Sequence, residues 1–315
     1  MVSFVTINYN TATLTLQCVR SILSHAALQG SEIIIVDNAS AADDKEMLEK
    51  SLPEGCRLIC SRQNLGFGAA NMLGANFAGG DYLCFINSDV LLPEDCVTPL
   101  TDYLAGHPDI GCITPQQYNK EGQFVRSFNH ENGVITEIIP KGLLEKCFPY
   151  RYPSRKKLHS EPFTAHHING AFMLFPADVF WQCGGFDINI FLYGEEYDVA
   201  MRLGRIGKRC VVDPTHRFIH LQGQSARKAR SKTKREGYIS DLYTYQKHHG
   251  NFMYLLYKSV ILLKLLPHFH DWYAIPAILC GNTLSRSMRH DVNVFVKPDD
   301  QSQTCLSFGM ARKGV

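Results

Sequence analysis

Asp81-Tyr82-Leu83-Cys84-Phe85-Ile86-Asn87-Ser88-Asp89 decides the fold of this 315-residue chain. The five uncharged residues from Tyr82 to Ile86, two of them aromatic, have the make-up of a buried strand that stops abruptly in three polar side chains. Open α/β sheets bind ligands outside the carboxyl ends of their strands. A carboxylate delivered there, Asp89, is placed to hold a divalent cation and, through it, a diphosphate. Taken alone, the triplet reads more readily as the cap of a helix opened by Pro93, Glu94 and Asp95. The flanking sequence shifts that balance.

Residues 2–7, 33–36, 57–60 and 110–113 read as further strands. Helices are expected after Thr11 or Thr13 (apolar stripe Leu16, Val19, Ile22 and Leu23), over 66–77 and over 96–105. This alternation is that of βαβ units and a largely parallel sheet. From Pro115 to about Thr164 periodicity fades, as in a binding loop or lid. Arg151, Arg155, Lys156 and Lys157 fall in it, as contacts for a bound molecule or merely as a solvated charged loop. Residues 168–175 then predict a strand, Pro176 a helix start, 195–206 a helix and 209–212 a last strand.

The composition, 45% hydrophobic and 20% charged, is that of a globular protein long enough for about two domains. A formal charge of +2 makes no case for nucleic acid, and the cationic residues lack interleaved aromatics. Eleven cysteines without a CxxC pair point to reduced thiols and a cytoplasmic setting. The chain enters directly on a strand with no basic leader, so no secretion signal is expected. After Ser225 a basic cluster (Arg227, Lys228, Arg230, Lys232, Lys234, Arg235) precedes an apolar run, 252–266, and the last twenty residues are polar. The apolar run is shorter than the about 20 residues needed to span a bilayer. It reads either as a core-packing helix or as one lying in a membrane interface with basic anchors.

Three polar tips follow three strands: Asn8-Tyr9-Asn10, Asp37-Asn38 and Asn87-Ser88-Asp89. Each is ordinary turn chemistry, but together they make the edge a nucleotide pocket requires. Asp37 can accept from a pyrimidine N3–H, and Tyr9 offers a face for the base. The stretch 64–71 nearly forms a dinucleotide fingerprint with Gly66, Gly68 and Asn71, lacking the third glycine. Its helix start can still face phosphate. In Glu195-Glu196-Tyr197-Asp198, Glu195 and Asp198 share a helix face and Glu196 points about 100° away. Asp198 and Arg202 are spaced for a structural i,i+4 pair. Either glutamate is a candidate general base, although acids are at home at helix starts. His216 and His220 fall just past the last expected strand, and His166-His167 reads as loop. No cysteine has a partner that would make it a nucleophile.

With these residues in place, the chain resembles the inverting glycosyltransferases of family 2, and within them the bacterial rhamnosyltransferase-like group. The matching stretches are 5–10, 36–40, 64–71, 87–89, 169–171, 184–187, 193–202 and 220–225, in the family's order over about two-thirds of the chain. The resemblance implies a GT-A fold, a mostly parallel mixed sheet flanked by helices, in residues 1–225. Residues 226–315 would be a helical C-terminal region, membrane-associating in the interfacial reading. It implies that Tyr9 and Asp37 contact the base, with Asn8, Asn10, Asn38, Asn64, Gly68, Asn71, Asn87 and Ser88 completing the nucleotide-sugar site. Asp89 would ligate Mg²⁺ or Mn²⁺, with His220 a further metal or diphosphate contact. The family usually shows Glu-Asp-x-Asp where this chain has Glu195-Glu196-Tyr197-Asp198, so Glu196 stands in the place of the base.

The implied reaction is one displacement at the anomeric carbon, with Glu196 or Glu195 taking the acceptor proton. The group suggests dTDP-rhamnose or a UDP-sugar as donor. It suggests a lipid-linked glycan, a surface-polysaccharide precursor, as acceptor, met at the inner face of the cell membrane. Two other classes compete: a sugar nucleotidyltransferase, which would want a basic Gly-rich loop after the first strand, and a non-catalytic nucleotide-sugar or glycan-binding protein.

Overall fold

The computed structural model describes residues 1–25, 30–221 and 230–290. The first half builds β1 (Val2–Asn8), α1 (Ala12–His25), β2 (Glu32–Asn38), α2 (Ala42–Ser51), β3 (Cys56–Ser61), α3 (Gly66–Ala75) and β4 (Tyr82–Ile86). β1, β2, β3 and β4 pair in parallel, in the order β3-β2-β1-β4. The short β5 (Val90–Leu91), α4 (Val97–Gly106) and β6 (Ile110–Tyr118) follow. The triplet 87–89 therefore does not cap α4. That duty falls to Asp95, whose Oδ1 accepts from the N–H groups of Val97 and Thr98 at 3.0 Å.

The stretch expected to be irregular holds β7 (Phe128–Asn129), α5 (Val134–Ile138), α6 (Lys141–Cys147) and β8 (Phe163–Ala165). The strand expected over 168–175 divides into β9 (His167–Ile168) and β10 (Phe172–Pro176), so His167 is strand rather than loop. Then come α7 (Ala177–Gln182), α8 (Glu195–Arg205) and β11 (Arg209–His220), a strand long enough to include His216 and His220. β10 runs antiparallel between β4 and β6, and β11 lies parallel to β6 and antiparallel to β5 and β8, which completes a nine-stranded mixed sheet.

Two apolar layers clothe the sheet. On one, Leu16, Val19 and Ile22 of α1 are buried, while Leu23 is 41% exposed, one position off the stripe. On the other, Phe85 of β4 meets Phe180 and Phe186 at ring-centroid distances of 4.9 and 4.8 Å. Such aromatic pairs add about 0.5–1.5 kcal/mol each beyond their buried area. The Gly184-Gly185-Phe186-Asp187 turn thus delivers a core aromatic.

The helical segment α9 (Arg230–Leu265) consists of two helices meeting at Gly250. There φ is 77° and ψ is 176°, a conformation open to glycine at little cost. Its second part has one buried face and one exposed face. Tyr254, Tyr257, Ile261 and Leu265 are buried, while Phe252, Leu255, Leu256, Leu263 and Leu266 are exposed. The buried stripe packs with Val134 and with the short α10 (Ile275–Leu279). No described helix is long and apolar enough to cross a membrane. The ten described cysteines are all free. Arg227 and Lys228 of the basic cluster, the 222–225 part of the last motif and the final twenty residues lie outside the described residues.

Candidate active site

Pairing sets Asn8 opposite Asp37 at the sheet edge, and β4, on the other side of β1, carries Asn87, Ser88 and Asp89 to the same rim. The amides of this rim are mutually engaged. Asn8 Nδ2 lies within donating distance of Asp37 Oδ1 (2.9 Å), Ser40 Oγ (3.0 Å) and Asp44 Oδ2 (2.8 Å). Asn38 Oδ1 accepts from the Leu65 N–H at 2.8 Å, and its Nδ2 donates to Asn64 Oδ1 at 3.1 Å. Asn8 and Asn38 therefore frame the rim, whereas Tyr9 is 40% exposed and Asn10 is open to solvent. Ser88 Oγ meets Thr11 Oγ1 at 3.2 Å. Sequence reasoning missed Asp44, whose Oδ1 accepts the Ala12 N–H at 2.9 Å and so caps α1 from another helix. Its one local signal is the acidic first turn of α2.

Among the described residues only Asn10, Ala39 and Tyr193 adopt positive φ without being glycine (56°, 64° and 67°). The first two follow β1 and β2 at the rim, and the third precedes α8. Such strained residues gather at functional sites because the surrounding fold must hold them there. Asn71 on α3 is buried, and its Nδ2 has no hydrogen-bond partner among the described residues. Gly68, one turn earlier, packs on Glu195: a Cβ there would come 3.4 Å from Glu195 Cγ.

Asp89 and His220 meet, with His220 Nε2 3.0 Å from Asp89 Oδ1. The register that sets His220 opposite Val90 delivers the ring. Gln117 Nε2 lies 3.2 Å from the other ring nitrogen, Nδ1, and fixes its orientation. Gln117 Oε1 is buried without a partner, so turning the amide over would serve the opposite tautomer. No cluster of three or more His, Cys, Asp or Glu side chains suited to a metal occurs among the described residues. A carboxylate oxygen and an imidazole nitrogen this close nevertheless fit adjacent positions on a Mn²⁺ or Mg²⁺ ion whose remaining ligands come from phosphate and water.

The rim is joined to the acidic helix through two adjacent residues. The Asn87 N–H donates to the Ala171 carbonyl at 2.9 Å, and the Gly170 N–H donates to Glu196 Oε1 at 3.0 Å. Only glycine allows this approach, since a Cβ at residue 170 would come 2.6 Å from Glu196 Oε1. Glu196 opens into a cavity of about 290 Å³, lined also by Lys141, His167, Asn169, Tyr193 and Asp241. Burial pushes its carboxyl above the ordinary 4.5, against the pull of nearby backbone N–H groups.

Glu195 turns the other way: it is 1% exposed and its Oε1 has no partner among the described residues. Burial, and then the charge of Glu196, push it well above the usual carboxylate range. Burial also holds His167 down at about 3, so that it faces the cavity neutral. Asp241 is pushed up to about 7 by burial and by Glu137 and Glu196. Neither Lys141 nor Asp241 was singled out by the sequence.

Asp198 has a different task. Arg202 (Nε 2.9 Å, Nη2 2.6 Å) and, from α9, Lys247 Nζ (2.6 Å) and His248 Nε2 (2.8 Å) surround its carboxylate. Lys247 also reaches Asp187 Oδ2 at 2.7 Å. The C-terminal helix is thereby tied to the acidic helix. Burial alone would raise Asp198, but His248, Arg202 and Lys247 outweigh it and hold the carboxyl far below its ordinary 3.8. A carboxyl depressed in this way stabilises the fold above pH 3.8 and loses that contribution as acid protonates it. Asp198→Ala removes the carboxylate that Arg202, Lys247 and His248 share and is expected to cost about 3–5 kcal/mol in urea unfolding. A loss below about 1 kcal/mol would show that the network is not structural.

A sequence model of the family described as "Glycosyl transferase family 2" matches residues 3–184. Human polypeptide N-acetylgalactosaminyltransferase 10 is 24% identical over 220 residues, which cover 65% of this chain and 35% of the human protein. The N-acetylglucosaminyl-diphospho-decaprenol L-rhamnosyltransferase of Mycobacterium tuberculosis is 25% identical over 221 residues, 64% of this chain and 70% of that enzyme. The chain thus spans about a third of the length of the first of these relatives. Among solved structures, a mannosyltransferase from Pyrobaculum calidifontis in complex with GDP-Man and Mn²⁺ superposes with a TM-score of 0.55 at 15% identity, covering 88% of this chain and 72% of that one. GalNAc-T7 with UDP, GalNAc and Mn²⁺ gives a TM-score of 0.52 at 15% identity, covering 85% and 58%.

Proposed function

Because the chain belongs to glycosyl transferase family 2 and has the GT-A fold, we propose that it is an inverting glycosyltransferase that takes a sugar from a nucleoside-diphosphate donor. One observation carries the reading: the Gly170-Ala171 pair joins the Asp89-bearing rim to Glu196, the one glutamate of the acidic motif that opens into the cavity. A donor diphosphate at Asp89 and an acceptor hydroxyl at Glu196 would then lie on two sides of one anomeric carbon.

Asp89 and His220 would hold the Mn²⁺ or Mg²⁺, and Gln117 orients the histidine. When bound, such an ion acts as a Lewis acid on the departing diphosphate. Tyr9, at the open mouth, offers its ring to the base beside Asp37, while Asn8, Asn10, Asn38 and Asn64 shape the rim. Asn71 has an unpartnered buried amide to offer the donor. Glu196 takes the proton from the acceptor hydroxyl as it attacks the opposite face of the donor sugar, which inverts the anomeric centre. A carboxyl raised by burial is suited to that proton transfer near neutral pH. Glu195, buried against Gly68, supports the helix start.

Within this reading the donor is dTDP-rhamnose or a UDP-sugar, and the acceptor a lipid-linked glycan of the cell envelope. The catalytic unit is residues 1–225, and residues 226–315 are the C-terminal region, whose described part, 230–290, is helical and packs against the catalytic unit. The exposed stripe Phe252, Leu255, Leu256, Leu263 and Leu266, with Lys258 and Lys264 among it, suits a peripheral contact with the cytoplasmic face of the membrane. A hydrolysis and transfer screen of dTDP-rhamnose, UDP-sugars and GDP-sugars with Mn²⁺ or Mg²⁺ tests the proposal. Metal-dependent turnover of one donor, with inversion seen by NMR of the product anomer, is expected. No turnover of any of them, or a retained anomer, would overturn it.

A further inference from the structure

The cavity beside Glu196 offers mostly hydrogen-bond acceptors. Its lining carries two carboxylates, Glu196 and Asp241, against one ammonium, Lys141, together with the amides of Asn129, Asn132 and Asn169. The amide nitrogens are already committed. Asn129 Nδ2 donates to Asn169 Oδ1 at 3.0 Å, Asn169 Nδ2 to the Arg126 carbonyl at 2.7 Å, and Asn132 Nδ2 to Asp241 Oδ1 at 3.0 Å. An anion entering here meets two carboxylates, and no cluster suited to a metal occurs among the described residues. A neutral ligand with several hydroxyls fits the lining, because each hydroxyl can donate to a carboxylate or amide oxygen.

Asp241 reaches this cavity from outside residues 1–225. It stands on α9, which is held on both sides of it. Ser240 Oγ donates to the Leu192 carbonyl at 2.9 Å, just before α8, and Lys247 and His248 grip Asp198 within α8. A side chain on a helix fixed in this way is placed with the precision that telling one ligand hydroxyl from another requires. Asp241 Oδ1 takes the Asn132 amide, while Oδ2 has no hydrogen-bond partner among the described residues. Burial, and the charges of Glu137 and Glu196, push the carboxyl up against the opposing pull of Lys141 and Asn132. Folding thus keeps this group where desolvation and like charge oppose its ionised form, a cost that a hydroxyl donating to Oδ2 would offset.

We propose that Asp241 is a specificity-determining residue, whose Oδ2 accepts a hydrogen bond from a hydroxyl of the acceptor glycan other than the one Glu196 deprotonates. The inference rests on the transferase reading and gives the C-terminal helix a part in it, as a wall of the acceptor site. Carboxylates from two helices, α8 and α9, then fix one ring at two points, and a ring whose hydroxyls match both presents its nucleophile to Glu196. A site built to hydrogen-bond a hydroxyl rejects the analogue that lacks it, since its own oxygen is left unpaired. Asn132 acts through Asp241, as a positioning residue.

The test measures, by saturation-transfer NMR, binding of the methyl glycosides of N-acetylglucosamine, glucose, galactose and rhamnose to the full chain loaded with UDP and Mn²⁺. Wild type is compared with Asp241→Ala and Asp241→Asn. At least one glycoside should bind wild type, and Asp241→Ala should weaken it about 10-fold or more while UDP binding stays within about two-fold. Asp241→Asn keeps the shape and the Asn132 contact, loses the charge and should fall between the two; it carries the test if the alanine variant does not fold. Single-deoxy forms of the same glycoside separate a contact from a merely structural role. Removing the hydroxyl that Asp241 reads should weaken binding to wild type and cost nothing further in the variant. Binding of no glycoside to UDP-loaded wild type, unchanged affinity in the variants, or equal deoxy losses in wild type and variant at every hydroxyl would overturn the proposal. Failure of UDP to bind with Mn²⁺ is a separate outcome that counts against the transferase reading. The glycosides, titrated without nucleotide, would then still decide for or against Asp241.

Discussion

Glu196→Gln is expected to keep nucleotide binding and to lower kcat by about 10²–10⁴-fold, the range for loss of a positioned general base. Glutamine preserves the length and the Gly170 N–H contact but cannot take a proton. The loss should fall on kcat and kcat/KM together, because the missing interaction is made only as the acceptor hydroxyl gives up its proton. Glu195→Gln provides the contrast. That carboxyl is sealed behind Gly68, and burial and its neighbour push it well above the usual carboxylate range, so an amide of the same length suits its surroundings. Turnover within a few-fold of wild type is expected. Retained activity in Glu196→Gln, with loss in Glu195→Gln, would move the base to the buried position and contradict the cavity geometry.

Asp89→Ala carries the second large effect. With Asn87 and Ser88 as the other members of the triplet, Asp89 is its one carboxylate, and His220 alone supplies no negative charge to a divalent ion. Loss of even an outer-shell partner of a metal ligand costs about 10–100-fold in affinity or activity, so removal of the carboxylate itself should cost at least about 100-fold in Mn²⁺-dependent UDP binding. His220→Ala should show a smaller loss of the same kind. Unchanged metal dependence in Asp89→Ala, followed by tryptophan fluorescence or calorimetry, would place the ion elsewhere.

The sequence disclosed the parts of this site that sit at the ends of regular elements. Residues 82–86 are β4 to the residue, because an uninterrupted apolar run bounded by Asp81 and Asn87 admits no other register. The three polar tips share one edge because parallel pairing of β1, β2 and β4 leaves no alternative. Other boundaries depend on partners that local periodicity cannot reveal. The apolar run at 168–175 splits because the Gly170 backbone leaves the ladder to meet Glu196, more than twenty residues later. β11 runs on to His220 because β5 and β6 offer hydrogen bonds there.

The far wall was the least legible. Lys141 begins a short helix in a stretch without strong pattern, and Asp241 stands on a helix a hundred residues away that reads as an appendage until Lys247 and His248 are seen holding Asp198. Likewise the apolar run in α9 presents one stripe to the core and another to solvent. A composition-based reading could state both but could not divide them residue by residue.

The most direct test of a metal-assisted nucleotide-sugar site is a calorimetric titration of UDP, dTDP and GDP into the wild-type chain, once with Mn²⁺ and once with EDTA. The expected result is saturable binding of at least one nucleotide with Mn²⁺ and its loss in EDTA. Equal binding of a nucleotide in both conditions, or binding of none in either, would contradict the assignment of Asp89 and His220 as the place where the donor diphosphate is held.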